Sequence, residues 1–185
     1  TLKRPLNEFN VLVRYNEAVQ ILRKVHNQDE SSITEIISPL MPYGLSTDYR
    51  GKKNKEDDED LTLYSSQDIT YIKRSEITRG LDSVDKYKVL MSKMSAEHAG
   101  EPNKFGMFNV FTKTTKVLKP GEVCTHSYFI IGAYDSLTEA ENTLSYLKTK
   151  FVRFLVLMSL SAVNLSKLVF SFVPMQNFSK PWTDI

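Results

Sequence analysis

From Asp135 to Ser161 the chain reads DSLTEAENTLSYLKTKFVRFLVLMSLS, and the apolar positions Leu137, Ala140, Leu144, Leu147, Phe151, Phe154 and Met158 recur at spacings of three and four. That spacing places them on one face and predicts a single long helix. Ser136, followed three residues later by Glu139, forms a capping-box signature for its start, because the hydroxyl can accept from an orphan amide while the carboxylate reaches back to the N-cap amide. The first half is amphipathic. In FVRFLVLMSL apolar residues run nearly all the way round with Arg153 as the one charge, which predicts burial by neighbouring elements. The rest of the chain is expected to pack around this stretch. Its apolar run is about half the ~20 residues that a bilayer requires, and Lys148, Lys150 and Arg153 interrupt or flank it, so no membrane partner is expected.

The same pattern predicts an N-terminal helix from Asn7 to Val25, with Val11, Tyr15, Ala18, Leu22 and Val25 on its buried face. HNQDES breaks it. A second capping box, Ser32 to Glu35, opens a short helix with Ile33, Ile36, Ile37 and Leu40 inside, and Pro39 and Pro42 stop it. Gly44, Gly51 and the charge block Lys52 to Asp60 mark a turn and a solvated loop. β-branched and aromatic runs then predict strands over Leu61 to Ser65, Ile69 to Lys73, Tyr87 to Met94 and Met107 to Thr112. Two more are expected, one in CTHSYFIIGAY and one in KLVFSFVP, with MQNFSKPWTDI as an irregular tail held by Phe178 and Trp182. Helices at both ends with strands between them predict an α+β fold, with a mostly antiparallel sheet packed with one long helix and N-terminal helices. Residues 1–45 form the N-terminal helical segment and 46–185 the α+β domain, expected as one compact unit.

A length of 185 residues with 41% hydrophobic and 25% charged content suits one globular domain. The single cysteine, Cys124, excludes an internal disulfide and a cysteine-based zinc site. No secretory signal is read, an intracellular location is expected, and the chain is expected to come from a longer protein.

Catalytic chemistry is sparse. The seven glycines form neither G-x-G-x-x-G nor the P-loop spacing. His26, His98 and His126 are far apart, so no metal site is expected. Cys124 and His126 would share a strand face, yet nothing holds them as a nucleophile and base. EDDED falls in a loop, and TEAEN lies in the first turn of a helix, where acids favour the macrodipole. No Pro-Asp pair exists to begin a magnesium nuclease motif. The fragment alone does not read as an enzyme, and its catalytic residues are expected to be none.

The net charge of +2 points to no partner, but Lys86 to Lys119 holds seven lysines against Glu97 and Glu101. Within it, SAEHAGEPNKFG is a long polar loop of the kind that moves or binds something. Lysines beside Ser92, Ser95, Asn103, Asn109, Thr112, Thr114 and Thr115 suit the phosphates and base edges of duplex DNA. Composition alone favours an ordinary solvated lysine face.

KYKVLMSKMSAEHAGEPNKFG, LKPGEVCTHSYFIIGAYDSLTEAENTLSYLKTKFVRFLV and VFSFVPMQNFSKPWTD resemble the C-terminal part of adenine-specific DNA methyltransferases of bacterial restriction-modification systems, including forms fused to an endonuclease. SSITEIISPLMPYGLSTDYRG and YIKRSEI fit the same region, so the resemblance covers most of the chain. It implies a target-recognition-domain-like fold. In that family a catalytic domain binds S-adenosylmethionine, and an Asn-Pro-Pro-Tyr-type motif holds the flipped adenine; this chain has no Pro-Pro pair. The resemblance therefore implies that a missing domain supplies cofactor and chemistry, while this chain recognises double-stranded DNA in a cytoplasmic enzyme. A separate recognition element makes physical sense because base flipping costs unstacking energy and must be confined to the right site. On charge and loop placement, Lys86, Lys88, Lys93, Lys104 and Lys113 are expected at phosphates. Ser92, Ser95, His98 and Asn103 are expected near base edges, with Lys104 also a candidate for reading guanine. The alternative is a module that docks the methyltransferase to an endonuclease domain or second subunit without touching DNA; a large exposed apolar patch would favour it.

Overall fold

Alternation along two neighbouring strands builds the centre of the molecule. In β3 (Tyr87–Ser92) and β6 (Tyr128–Tyr134), Val89, Met91, Phe129 and Ile131 enter one core, while Leu90, Tyr128 and Ile130 enter a second on the opposite face. In this computed structural model, residue 5, residues 7–26 and residues 31–182 are described, His26 by its backbone only. Most of HNQDES, the His26 side chain and the last three residues of the tail lie outside them.

β3 is the middle of a three-stranded antiparallel sheet in the order β4-β3-β6, with β4 at Lys116–Leu118. Its register shifts between Tyr87 and Val89, where Gly132 in β6 takes φ +65. Glycine is suited to this left-handed conformation at a bulge. A second sheet, β2-β1-β5, consists of β1 (Leu61–Tyr64), β2 (Ile69–Ile72) and β5 (Glu122–Cys124). Leu61, Leu63, Ile72 and Val123 join Leu90, Leu118 and Ile130 in the core between the sheets. Three of the four strand pairings are antiparallel and β1 with β5 is parallel, so the architecture is α+β and mostly antiparallel.

The other face of the central sheet carries the helices. The stretch expected as one helix is two: α3 (Leu137–Leu147) and α4 (Lys150–Ser159), separated at Lys148 and Thr149. Thr149 has extended φ and ψ, its Oγ1 accepts from the Val152 amide at 3.2 Å, and it donates to the Tyr146 carbonyl at 2.7 Å. One hydroxyl thus closes the first helix and caps the second. The spacing from Leu147 to Phe151 hid the break because it continues the apolar stripe across it. The expected Ser136 cap is not formed by its side chain.

At the N-terminus, helix begins with a short 3₁₀ turn at Asn16–Ala18 and continues as α1 (Val19–His26). Residues 7–15 instead run as non-helical chain against the core, with Val13 buried and the Arg14 amide bound to the Met158 carbonyl at 2.8 Å. Tertiary contacts override the helical spacing there. The predicted helix after Ser32 is a 3₁₀ turn, Ile33–Ile36. KLVFSFVP contains another, Lys167–Phe170, rather than a strand; beyond it Val173 accepts from the Ile33 amide at 2.9 Å, while the Met175 amide donates to Ser31 at 2.7 Å. Met107 to Thr112 is not a strand, and β4 lies just after it. Leu22, Ile33, Val89, Phe129, Leu155 and Phe170 share the helix-side core. α2 (Leu81–Val84) precedes β3 by two residues.

Candidate nucleic-acid interface

The chain between the adjacent strands β3 and β4 leaves the sheet as a long loop, from Lys93 to Thr115. Its base is fixed by backbone bonds from Lys93 to the Ser127 carbonyl at 3.0 Å and from Ser95 to the Val163 carbonyl at 2.7 Å. Ala99 and Val110 are buried in the helix-side core, and the Arg153 guanidinium donates to the Phe108 carbonyl at 3.1 Å. These anchors leave the outer part to project as a defined tip.

Asn103 organises that tip. Its side-chain oxygen accepts from the amides of Phe105 at 2.9 Å and Met107 at 3.1 Å. Its own amide donates to the Met107 carbonyl at 2.9 Å, and its carbonyl accepts from Gly106 at 2.8 Å, with Gly106 at φ +73. Pro102 and Phe108 pair across the base of the turn. At the apex Phe105 is 75% exposed, and the Lys104 ammonium sits 5.0 Å from its ring centroid. An exposed ring with a cation over its face is a cation–π pair.

The expected binding residues separate into three groups. His98, Lys104 and Lys113 are exposed on this loop. His98 takes φ 56 and faces two carboxylates, with Nδ1 3.3 Å from Glu101 and Nε2 3.7 Å from Glu97. Asn103 is on the tip, but its oxygen is committed to the two backbone amides, leaving only its amide nitrogen to face outward chemistry. Ser92 is half-buried and its Oγ accepts from the Met94 amide at 3.0 Å.

Four expectations require correction. Lys88 is fully buried, and its ammonium donates to the carbonyls of Val84, Lys86 and Lys119 at 2.8, 3.0 and 3.3 Å. It cannot also meet a phosphate. Burial pushes its pKa down to about 8. Ser95 is buried at the loop's base. The Lys93 side-chain nitrogen is likewise buried, and burial lowers its pKa. Lys86 pairs with Asp135 at 3.1 Å and lies at the far end of β3, on the order of 20 Å from the loop by the rise of a strand. The lysine run is contiguous in sequence but divided between the two ends of a buried strand.

Sequence reasoning missed two features. Phe105 lies in a stretch whose polar composition hides it; its signal is an aromatic between Asn103 and Gly106, two turn formers. The second is a groove of about 670 Å³ beside the tip, where Ile21, Met107, Phe108, Phe154 and Leu157 provide apolar walls and Glu17, Lys150 and Arg153 bring charge. Ile21 is half exposed although it belongs to α1, and periodicity alone did not single it out.

Cys124 and His126 do not form a reactive pair. Cys124 is buried in β5, and burial pushes its thiol up to about 12, whereas a reactive cysteine needs a stabilised thiolate. His126 follows in a turn with its pKa lowered by burial and by Lys93. Among the described residues no three His, Cys, Asp or Glu side chains are grouped to hold a metal, and no helix is long and apolar enough to cross a membrane. In comparisons with known proteins, no family model, curated protein or solved structure matches the chain.

Proposed function

We propose that this chain is the DNA-recognition module of a bacterial restriction-modification adenine-N6 methyltransferase, and that the loop from Lys93 to Thr115 is its reading element. The observation that carries the reading is the hydrogen-bonded tip at Asn103, which holds Lys104 and Phe105 outward from a loop anchored in the core. Lys104 and Lys113 contribute phosphate-seeking charge and His98 a polar group for base edges, while Asn103, the other expected base-edge contact on the tip, holds the turn through its side-chain oxygen. The sequence resemblance supplies the enzyme class; the anchored loop supplies a physical means of recognition.

S-adenosylmethionine and the adenine pocket belong to a domain outside this chain. A cytoplasmic location follows from the proposed enzyme class.

Fluorescence anisotropy with a random-sequence duplex pool at several salt concentrations tests the reading. Affinity should fall linearly in log-log form with a slope equivalent to about two phosphate contacts, one each for Lys104 and Lys113. Absence of binding at low salt removes it. The apolar groove supports a second reading, in which this face docks another domain of the same enzyme. On that reading the chain binds no duplex even at low salt, and Ile21→Asp abolishes its association with the separately produced methyltransferase domain.

A further inference from the structure

We propose that Phe105 is a wedge that enters the base stack of the bound duplex and opens one step. This rests on the DNA-recognition reading above. It adds a mechanical role that neither phosphate contacts nor groove-edge hydrogen bonds require.

Four features of the tip converge on it. Among the described residues Phe105 is the most exposed of the large hydrophobic side chains, at 75%, so little of its apolar surface is used in holding the fold. The turn beneath it is braced by the two bonds to the Asn103 side chain and by the reciprocal backbone bonds of Asn103 with Met107 and Gly106. A braced aromatic loses less conformational freedom on insertion than a loose one. Lys104 is the adjacent residue and already lies against the ring, so the wedge carries a cation that can move to a flanking phosphate as the ring enters. Finally, the loop's attachment through Val110 and Arg153 gives the tip a fixed base against which unstacking can be driven.

Apolar side chains that part base steps act in this way, exchanging stacking between bases for stacking on the inserted group. Phe105 also borders the apolar groove. Its mostly exposed ring distinguishes it from Phe108 and Leu157, which form the groove's interior with much less exposure. The groove gives docking an apolar wall, whereas the apex of a braced turn is shaped for insertion.

The experiment uses duplexes selected from a random pool on the wild-type protein. They are probed with permanganate for unstacked thymines and with 2-aminopurine substituted along the selected site, alongside salt-dependent anisotropy. The expected result is one hyper-reactive step in the wild-type complex. Phe105→Ala should abolish that signal, weaken affinity about ten- to a hundred-fold and keep the salt slope, while Phe105→Trp should retain the signal. Binding without an unstacked step, or an unstacked step that survives Phe105→Ala, overturns the wedge and leaves DNA recognition standing. Recovery of no duplex at all overturns DNA recognition and the wedge with it.

Discussion

The Lys88 ammonium donates to the Val84 carbonyl at 2.8 Å, joining the middle strand of the central sheet to the last residue of α2. Two further carbonyls, from Lys86 and Lys119, complete the cradle. These bonds only partly offset removal of the charge from water, because the pKa falls to about 8. Lys88→Met, which keeps the volume and drops the charge, should therefore leave urea stability at pH 7 unchanged or raise it by up to ~2 kcal/mol. Lys88→Ala should lose about 2–4 kcal/mol through the cavity it opens. A large loss in the Met variant would show that the carbonyl bonds outweigh desolvation.

The same burial gives a pH signature. Lys88 releases its proton at about 8 in the fold but near 10.4 when unfolded. The unfolded chain binds more protons in that interval, so this residue makes stability rise with pH, by ~1.4 kcal/mol per unit at most. Cys124 has the opposite sign: its folded thiol keeps its proton until about 12, whereas an unfolded thiol loses it near 8.5. It therefore removes stability as pH rises above that point. Wild-type stability should climb between pH 7.5 and about 8.5, and above that the slope from Cys124 should oppose the climb to which Lys88 and Lys93 both contribute. Cys124→Ala should extend the climb toward pH 10, and Lys88→Met should expose the cysteine's decline; urea titrations across this range measure both.

Capping makes a paired prediction. Thr149→Ala removes the hydroxyl that accepts from Val152 and donates to Tyr146, and should cost about 1 kcal/mol. Ser136→Ala should change stability by less than ~0.5 kcal/mol, since the Ser136 side chain makes no cap bond. Thermal melts of the two variants distinguish the working cap from the one that the sequence advertises.

The α+β class was legible because the apolar, β-branched and aromatic run Tyr128–Tyr134 and the helical spacing of Leu137–Leu147 are local and strong signals. Thr149 was not, since the apolar stripe passes through the break and the hydroxyl that makes it acts in three dimensions. Lys88 reads as surface because lysine is rarely fully buried; its burial depends on the Val84 and Lys86 carbonyls just before it and on the Lys119 carbonyl just past β4. The loop's existence was legible from its turn formers and length, but Asn103 had to be seen bonding to Phe105 and Met107 before the aromatic apex emerged. What the sequence does not show is which of several nearby backbone groups a polar side chain will bond: Thr149 takes Tyr146 and Val152, and Asn103 takes Phe105 and Met107.

Charge at the loop should be separable from charge elsewhere. Lys104→Ala and Lys113→Ala should each weaken binding to all duplexes alike and reduce the salt slope by about one contact. Lys86→Ala should not alter the slope, because Lys86 pairs with Asp135 at the other end of β3. Equal loss from all three would place the DNA across the whole edge of the sheet instead of at the loop.

Asn103 provides the sharpest distinction between a reader and a brace. If its amide read adenine, Asn103→Ala would relax preference at one base pair and leave the loop intact. Its oxygen instead accepts from the Phe105 and Met107 amides. Asn103→Ala should therefore speed hydrogen exchange at those two amides, lower affinity for selected duplexes about tenfold, comparable to ~1.4 kcal/mol, and weaken all sequences in step. The melting temperature should change little, because the tip is exposed and outside both cores. Asn103→Asp preserves the acceptor and should keep the two amides protected, yet it places a negative charge beside Lys104 and should still weaken DNA binding. Protection retained with affinity lost separates the geometry of the tip from its charge.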